Sequence, residues 1–189
     1  MGDLMIQVHS PLTEDTAARL KAGDRVLISG VAYVARDAAH KRMVAALRLG
    51  QPLPVDLRGQ TIYYMGPSPA RPGKPIGSAG PTTSGRMDPY AVPLLQVGVR
   101  AMIGKGQRSV AMRQAMKEHH AVYFAATGGA AALIAQAIKK AEVVAYPELG
   151  AEALRRLEIV HMPAIVANDI LGRDVYEEAK TRHRKEAVT

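Results

Sequence analysis

Apolar and polar positions follow two periods along this chain, and the switches between them mark the elements. Residues 5–8 alternate with the period of a strand. Leu12-Thr13-Glu14-Asp15 then opens a helix, with Thr13 placed to cap it and two acids in its first turn. Gly23-Asp24 turns the chain into residues 25–30, a strand carrying an apolar run. Ala39, Met43, Val44 and Leu47 recur near helical spacing, so a helix is predicted from about Arg36 to Leu49, with Gly50 closing it. Residues 61–65 read as a strand, 87–99 as a helix with Pro89 near its start, 101–103 as a short strand and 107–119 as a helix. Residues 121–125 form a further strand, and an Ala-rich helix is expected from Thr127 to about Lys140. Short strands at 142–145 and 165–166 and a last helix over 174–184 complete the pattern.

Between Pro67 and Pro93 that pattern breaks. Seven of the twelve prolines fall there, preceded by Gly66 and interleaved with Gly73, Gly77, Gly80 and Gly85, which rules out a long regular element. The stretch is stiff and small rather than acidic and polar, as expected of an ordered functional loop. Strands alternating with helices, without a repeat or a second compositional region, predict one α/β domain over residues 1–189.

Composition narrows the chemistry. Hydrophobic residues make up 48% of the 189, yet there is no Trp and one Phe, so the core must be aliphatic. The absence of Cys removes disulfides, thiolate nucleophiles, Cys-ligated zinc and a self-held iron–sulfur cluster together. No metal site is expected among the His residues, whose spacing fits no ligand motif. No apolar run approaches the roughly 20 residues of a membrane span. The start, Met1-Gly2-Asp3-Leu4, lacks the basic and apolar regions of a secretory signal, so a cytoplasmic location is expected. A net charge of +8 favours anionic partners: nucleic acid, an acidic protein face, or a small carboxylate or phosphate. Part of the excess lies in the tail at about 180–189, read as a frayed, solvated helix end. The aromatic interleaving of a base-stacking surface is missing, which argues against a nucleic-acid module.

Four segments could carry chemistry. In Gly80-Pro81-Thr82-Thr83-Ser84-Gly85-Arg86-Met87-Asp88, three consecutive hydroxyls, a helix start and one Arg make an anion cradle. The fork of Arg86 suits a carboxylate as a Lys would not. A Ser/Thr-rich helix cap with a solvated Arg86 explains the same residues. Ile103-Gly104-Lys105-Gly106 sets a Lys between glycines at a strand end, where a backbone can approach a ligand, although a plain surface turn has the same composition. Arg36 lies at a strand-to-helix junction, where ligands of α/β sheets gather, although a structural role fits it equally well. Asp37 and His40 are spaced to meet on one helix face, where orienting the turn is the favoured reading over a functional one. Thr127-Gly128-Gly129-Ala130 reads either as a helix-start anion site or as close helix packing.

Taken in order, Arg36-Asp37-Ala38-Ala39-His40, Tyr64-Met65-Gly66-Pro67, the Gly80–Asp88 stretch, Gly104-Lys105-Gly106 and Gly128-Gly129-Ala130-Ala131 resemble the beta subunit of class I fumarases and L-tartrate dehydratases. The resemblance runs from about Leu12 to Tyr176, and its nine-residue GPTTSGRMD stretch is the specific part. It implies a swivelling β/β/α domain and a hetero-oligomer with an alpha subunit that holds a 4Fe–4S cluster. It also implies a hydro-lyase acting on a small dicarboxylate, fumarate first, with tartrate or mesaconate as alternatives, and a beta chain that is inert alone. By the same resemblance, Arg36, Arg86 and Lys105 grip substrate carboxylates beside the hydroxyls of Thr83 and Ser84. Thr82 lies close enough to the reacting carbon to be its base, or a relay to a carboxylate of the alpha subunit.

Overall fold

The computed structural model describes residues 5–127 and 129–186. β1 (Ile6–Ser10) and β2 (Arg25–Val34) pair in parallel, joined across α1 (Glu14–Arg19), whose N-cap Thr13 accepts from the Thr16 amide at 3.1 Å. α2 (Asp37–Arg48) leads to β3 (Thr61–Tyr63), and α3 (Asp88–Gln96), entered through a 3-10 turn at Ser84–Met87, leads to β4 (Ala101–Gly104). α4 (Val110–Glu118) starts on the Ser109 cap and leads to β5 (Val122–Ala125). From β2 to β5, each strand pairs in parallel with the next.

The chain then reverses its sense. α5 (Ala131–Ala137) runs directly into β6 (Ile138–Ala145), and a 3-10 segment at Pro147–Glu152 leads to the fifteen-residue β7 (Leu154–Asn168). β7 lies antiparallel to β2 on one side and to β5 and β6 on the other. The sheet therefore closes into a small barrel through β2, β3, β4, β5 and β7, with β1 and β6 as flaps. α6 (Val175–Glu186) ends the described chain.

Because side chains alternate across a strand, closure creates two cores. Ile28, Ala32 and Val34 of β2, Tyr63 of β3, Ile103 of β4, Phe124 of β5 and Leu157 and Val166 of β7 fill the inside. Tyr33, Ile62, Met102 and Tyr123 face outward beneath Met43 of α2, Leu94 of α3 and Met116 of α4. The core is thus divided between a barrel interior and a helix-covered face, and it is less aliphatic than composition suggested, since Tyr63, Tyr64, Tyr123 and Phe124 are among its largest fully buried side chains.

A mixed α/β fold follows the expected alternation, but several bounds differ. The Ala-rich helix stops at Ala137 rather than Lys140, because Ile138 already pairs with Ile159 of β7. The short strands expected at 142–145 and 165–166 belong to much longer ones. The basic tail continues α6 to Glu186, and residues 187–189 lie outside the described residues. Among the described residues no helix is long and apolar enough to cross a membrane.

Candidate active site

Adjacent parallel strands present their C-terminal ends side by side, the place where α/β sheets hold ligands. Here β2 ends into Arg36, β3 into the Pro/Gly loop, β4 into Lys105 and β5 into the segment before α5. Four of the segments singled out in the sequence are therefore brought to one edge of the barrel.

Arg36 is the N-cap of α2, with extended backbone and no side-chain capping bond. Its guanidinium lies against Gly66, where an added Cβ would come within 2.4 Å of Nη1. Nη2 stands 3.5 Å from Glu152 of the 3-10 segment, whose other oxygen accepts the Ala38 amide at 2.8 Å. The Arg36 Nε is buried without a hydrogen-bond partner among the described residues. A buried charged donor without an acceptor is costly, and the side chain as a whole keeps 22% exposure.

Asp37 pairs with Arg86, Nη2 to Oδ2 at 2.7 Å, and the arginine is half-exposed. The spacing of Asp37 and His40 suggested that these two would meet, and the structure corrects that. His40 turns inward, fully buried, and its Nδ1 donates to the Arg36 carbonyl at 2.8 Å. Burial is the main cause that lowers its pKa to about 4, so the ring is neutral at pH 7.

The Thr82–Arg86 segment runs beside the end of β4. The Thr82 amide and hydroxyl both donate to the Tyr64 carbonyl, at 2.8 and 3.0 Å. Its carbonyl accepts the Lys105 amide at 3.2 Å, and the Ser84 amide returns a bond to the Lys105 carbonyl at 2.9 Å. Thr83 lies opposite Lys105 in this short parallel bridge, and both are exposed. Among the described residues no acidic side chain forms an ion pair with Lys105. Ser84 differs from its neighbours. Grouped on sequence with the ligand-facing hydroxyls, it is fully buried, and its Oγ bonds the Tyr123 hydroxyl at 2.9 Å. Gly104 makes room for it, since a Cβ there would fall 1.9 Å from the Ser84 Oγ. Ser84 therefore anchors the loop instead of facing a ligand.

The Pro/Gly loop is irregular, as expected, and pinned at several points. The Ser68 hydroxyl accepts the Ser78 amide at 2.8 Å, the Ala79 amide donates to the Ala131 carbonyl, and Met65 bridges Pro81. Ile76 and Ala79 join the inner core, while residues 68–75 are exposed. In the Thr127–Ala130 segment, Gly128 lies outside the described residues, and α5 has no side-chain cap at Ala130.

Sequence reasoning missed a buried layer below these groups. Arg108 is 3% exposed, and its Nε donates to Asp88 at 2.7 Å. Breaking such a buried pair from one side costs about 3–5 kcal/mol. Glu152 was also missed, lying far from Arg36 in sequence within a short turn that has no motif. The nearest signal for Arg108 was Asp88, the one acid in the specific stretch.

Comparison with known proteins gives a consistent grouping. The family model described as Fumarase C-terminus matches residues 2–179. The chain is 38% identical over 180 residues to the mitochondrial fumarate hydratase 1 of Leishmania major, covering 93% of this chain and 33% of that protein. It is 38% identical over 178 residues to the anaerobic class I fumarate hydratase of Escherichia coli K12, covering 92% and 32%. Over 184 residues it is 36% identical to a Methanocaldococcus jannaschii protein provisionally named L(+)-tartrate dehydratase subunit beta, covering 94% of each. The chain thus spans about a third of the length of the fumarate hydratases and nearly all of the beta subunit.

Proposed function

The chain belongs to the fumarase C-terminus family, and we propose from that premise that it is the beta subunit of a hydro-lyase for a small dicarboxylate. Fumarate, hydrated reversibly to (S)-malate, is the leading substrate, with tartrate and mesaconate as the alternatives. The observation that carries this reading is the edge of the barrel at which Arg36, Thr82, Arg86 and Lys105 are gathered.

Each residue has a part that its surroundings support. Arg36 takes one carboxylate through its partly exposed side chain, backed by Glu152. Arg86 exchanges the Asp37 carboxylate for one of the substrate, a cheap exchange because a half-exposed ion pair holds it only weakly. Lys105 and the Thr83 hydroxyl, both exposed, complete the grip. Removing the proton beside a carboxylate builds negative charge on that group, which fixed cations stabilise.

Thr82 suits a relay better than a standing base. Its hydroxyl donates to the Tyr64 carbonyl, which favours the neutral hydroxyl over the alkoxide. In the proposed transfer, the Thr82 oxygen takes the proton from the substrate carbon as its own proton passes to a carboxylate of the partner.

The family's 4Fe–4S cluster does not fit this chain. There is no Cys, and among the described residues no group of three His, Asp or Glu converges as a metal site. We propose that a cluster-bearing alpha subunit forms a hetero-oligomer with this chain, in the cytoplasm, and that this domain swivels over the partner's site. Support for a separate subunit is the near-complete coverage of a relative named as one.

Anaerobic co-expression with a cysteine-bearing alpha-type partner tests the assignment, with fumarate, tartrate and mesaconate assayed beside Arg86→Ala. Turnover of one diacid should appear and fall by about 10²–10³-fold in the variant. A loaded cluster with no turnover of any of the three would remove the proposal.

A further inference from the structure

Arg108 touches no ligand-facing group, and we propose that it is a positioning residue that fixes Thr82 and Lys105 relative to each other. The inference deepens the proposed function and rests on that reading for its catalytic consequence.

Two chain segments meet above it. At one end, residues 82–84 and Lys105 exchange backbone bonds of 2.9 and 3.2 Å. At the other, Asp88 takes the Arg108 Nε on one oxygen and the Ser109 amide on the other, each at 2.7 Å. The guanidinium lies between two buried tyrosine rings, 5.3 Å from the Tyr64 centroid and 5.1 Å from that of Tyr123. Those tyrosines hold the two halves of the site. The Tyr64 carbonyl takes both donors of Thr82. The Tyr123 hydroxyl bonds the Ser84 Oγ and the Gly106 carbonyl, each at 2.9 Å. One planar cation therefore contacts Asp88 and the two tyrosines, which together with the backbone bonds set the Thr82 loop against the Lys105 turn.

Its chemistry suits that place. A guanidinium can donate in its plane and stack on aromatic faces at once, which an ammonium cannot do. Nη1 also reaches the Met102 sulfur at 3.3 Å, while Nη2 lies 3.5 Å from the Tyr64 hydroxyl, at the limit of a bond. Full burial removes the competition from water that leaves surface pairs weak. Arg36 and Arg86 make none of these contacts, so substrate anchoring and loop placement are separable.

Two variants of the full chain test this. Arg108→Lys keeps the charge and loses the fork, whereas Asp88→Asn keeps an acceptor of the same shape and loses the charge. Amide hydrogen exchange of the isolated chain should speed up at Thr82, Ser84 and Lys105 by about tenfold or more beyond whatever change appears along β2 and β7. In the complex with the cluster-bearing partner, kcat for the diacid should fall by about a hundredfold while KM moves little. Unchanged loop exchange, or equal loosening throughout the barrel, overturns the inference. If Arg108→Lys does not fold, Asp88→Asn decides by the same criterion. Local loosening alongside a wild-type complex that turns over no diacid sustains the positioning role and removes the proposed reaction.

Discussion

His40 occupies the point where β2 hands the chain to α2, and its ring donates to the carbonyl of the residue that would grip substrate. Desolvation is the largest cause of its lowered pKa, the nearby Arg108 adds to it, and the Arg36 carbonyl and Asp37 oppose it. The unfolded chain takes up a proton at this residue near the ordinary 6.5, and the folded chain resists until about 4. Stability held above pH 6.5 is therefore lost as pH falls towards 4, because protons bind the unfolded state first. At pH 5 the loss through this one group is about 2 kcal/mol. Urea unfolding of the wild type and of His40→Gln at pH 7 and pH 5 measures it: the wild type should lose about 2 kcal/mol more than the variant. A parallel loss in both would place the acid sensitivity elsewhere. At this scale the placement of the candidate segments was legible, since Arg36 and Lys105 follow strands and Thr82 lies beside Lys105 in the fold, while their roles belong to the proposed function. The buried supports were not. Arg108 read as an ordinary residue at the start of a helix, and nothing local distinguishes an arginine stacked between two tyrosines from a solvated one.

Among the elements, β2 and β7 carry the closure, and a glycine lets them do it. Gly30 has φ 106°, and a Cβ there would fall 2.1 Å from the Ser10 carbonyl oxygen of β1. At the same place the β2–β7 register shifts, and His161 opposite takes a positive φ with its amide on the Ser29 hydroxyl. Gly30→Ala combines a strained backbone with a backbone clash, so it should destabilise the chain by about 3 kcal/mol or more. The urea midpoint reads this directly, and a change under about 1 kcal/mol would mean the bulge relaxes easily. The same region explains what the sequence pattern concealed. Residues 154–163 mix Arg155, Arg156 and Glu158 with apolar positions and contain Pro163, so neither clean alternation nor an apolar run appears. In the fold, Arg156 pairs with Glu158 two residues along β7 and with Glu142 on the neighbouring β6. Pro163 falls in the interval of β7 that neither β5 nor β6 pairs, where a missing N–H costs nothing. The Ala-rich segment after Gly129 was over-read for the opposite reason: helix propensity is strong there, and pairing of Ile138 with β7 overrides it.

At the scale of the whole chain, stability and activity have different sources. The barrel closes through its own strands and α2, α3 and α4 cover its outer face, so the chain should fold without a partner. The candidate edge is another matter: its carboxylates, Asp37 and Glu152, are paired with Arg86 and Arg36, so on the proposed reading the base to which Thr82 relays is the partner's. The isolated chain should therefore unfold in one cooperative transition and bind a diacid weakly, with a Kd on the order of millimolar. That binding should weaken with added salt, since Arg86 and Lys105 are exposed, and weaken further in Lys105→Ala. No diacid should turn over until the cluster-bearing partner is added. Calorimetric titration with malate or fumarate, followed by assay before and after reconstitution, separates the parts. Turnover by the chain alone would place the whole site on this barrel and end the subunit reading. Loss of binding on raising salt, with folding unchanged, would identify the cation-lined edge as the half of the site that this chain contributes.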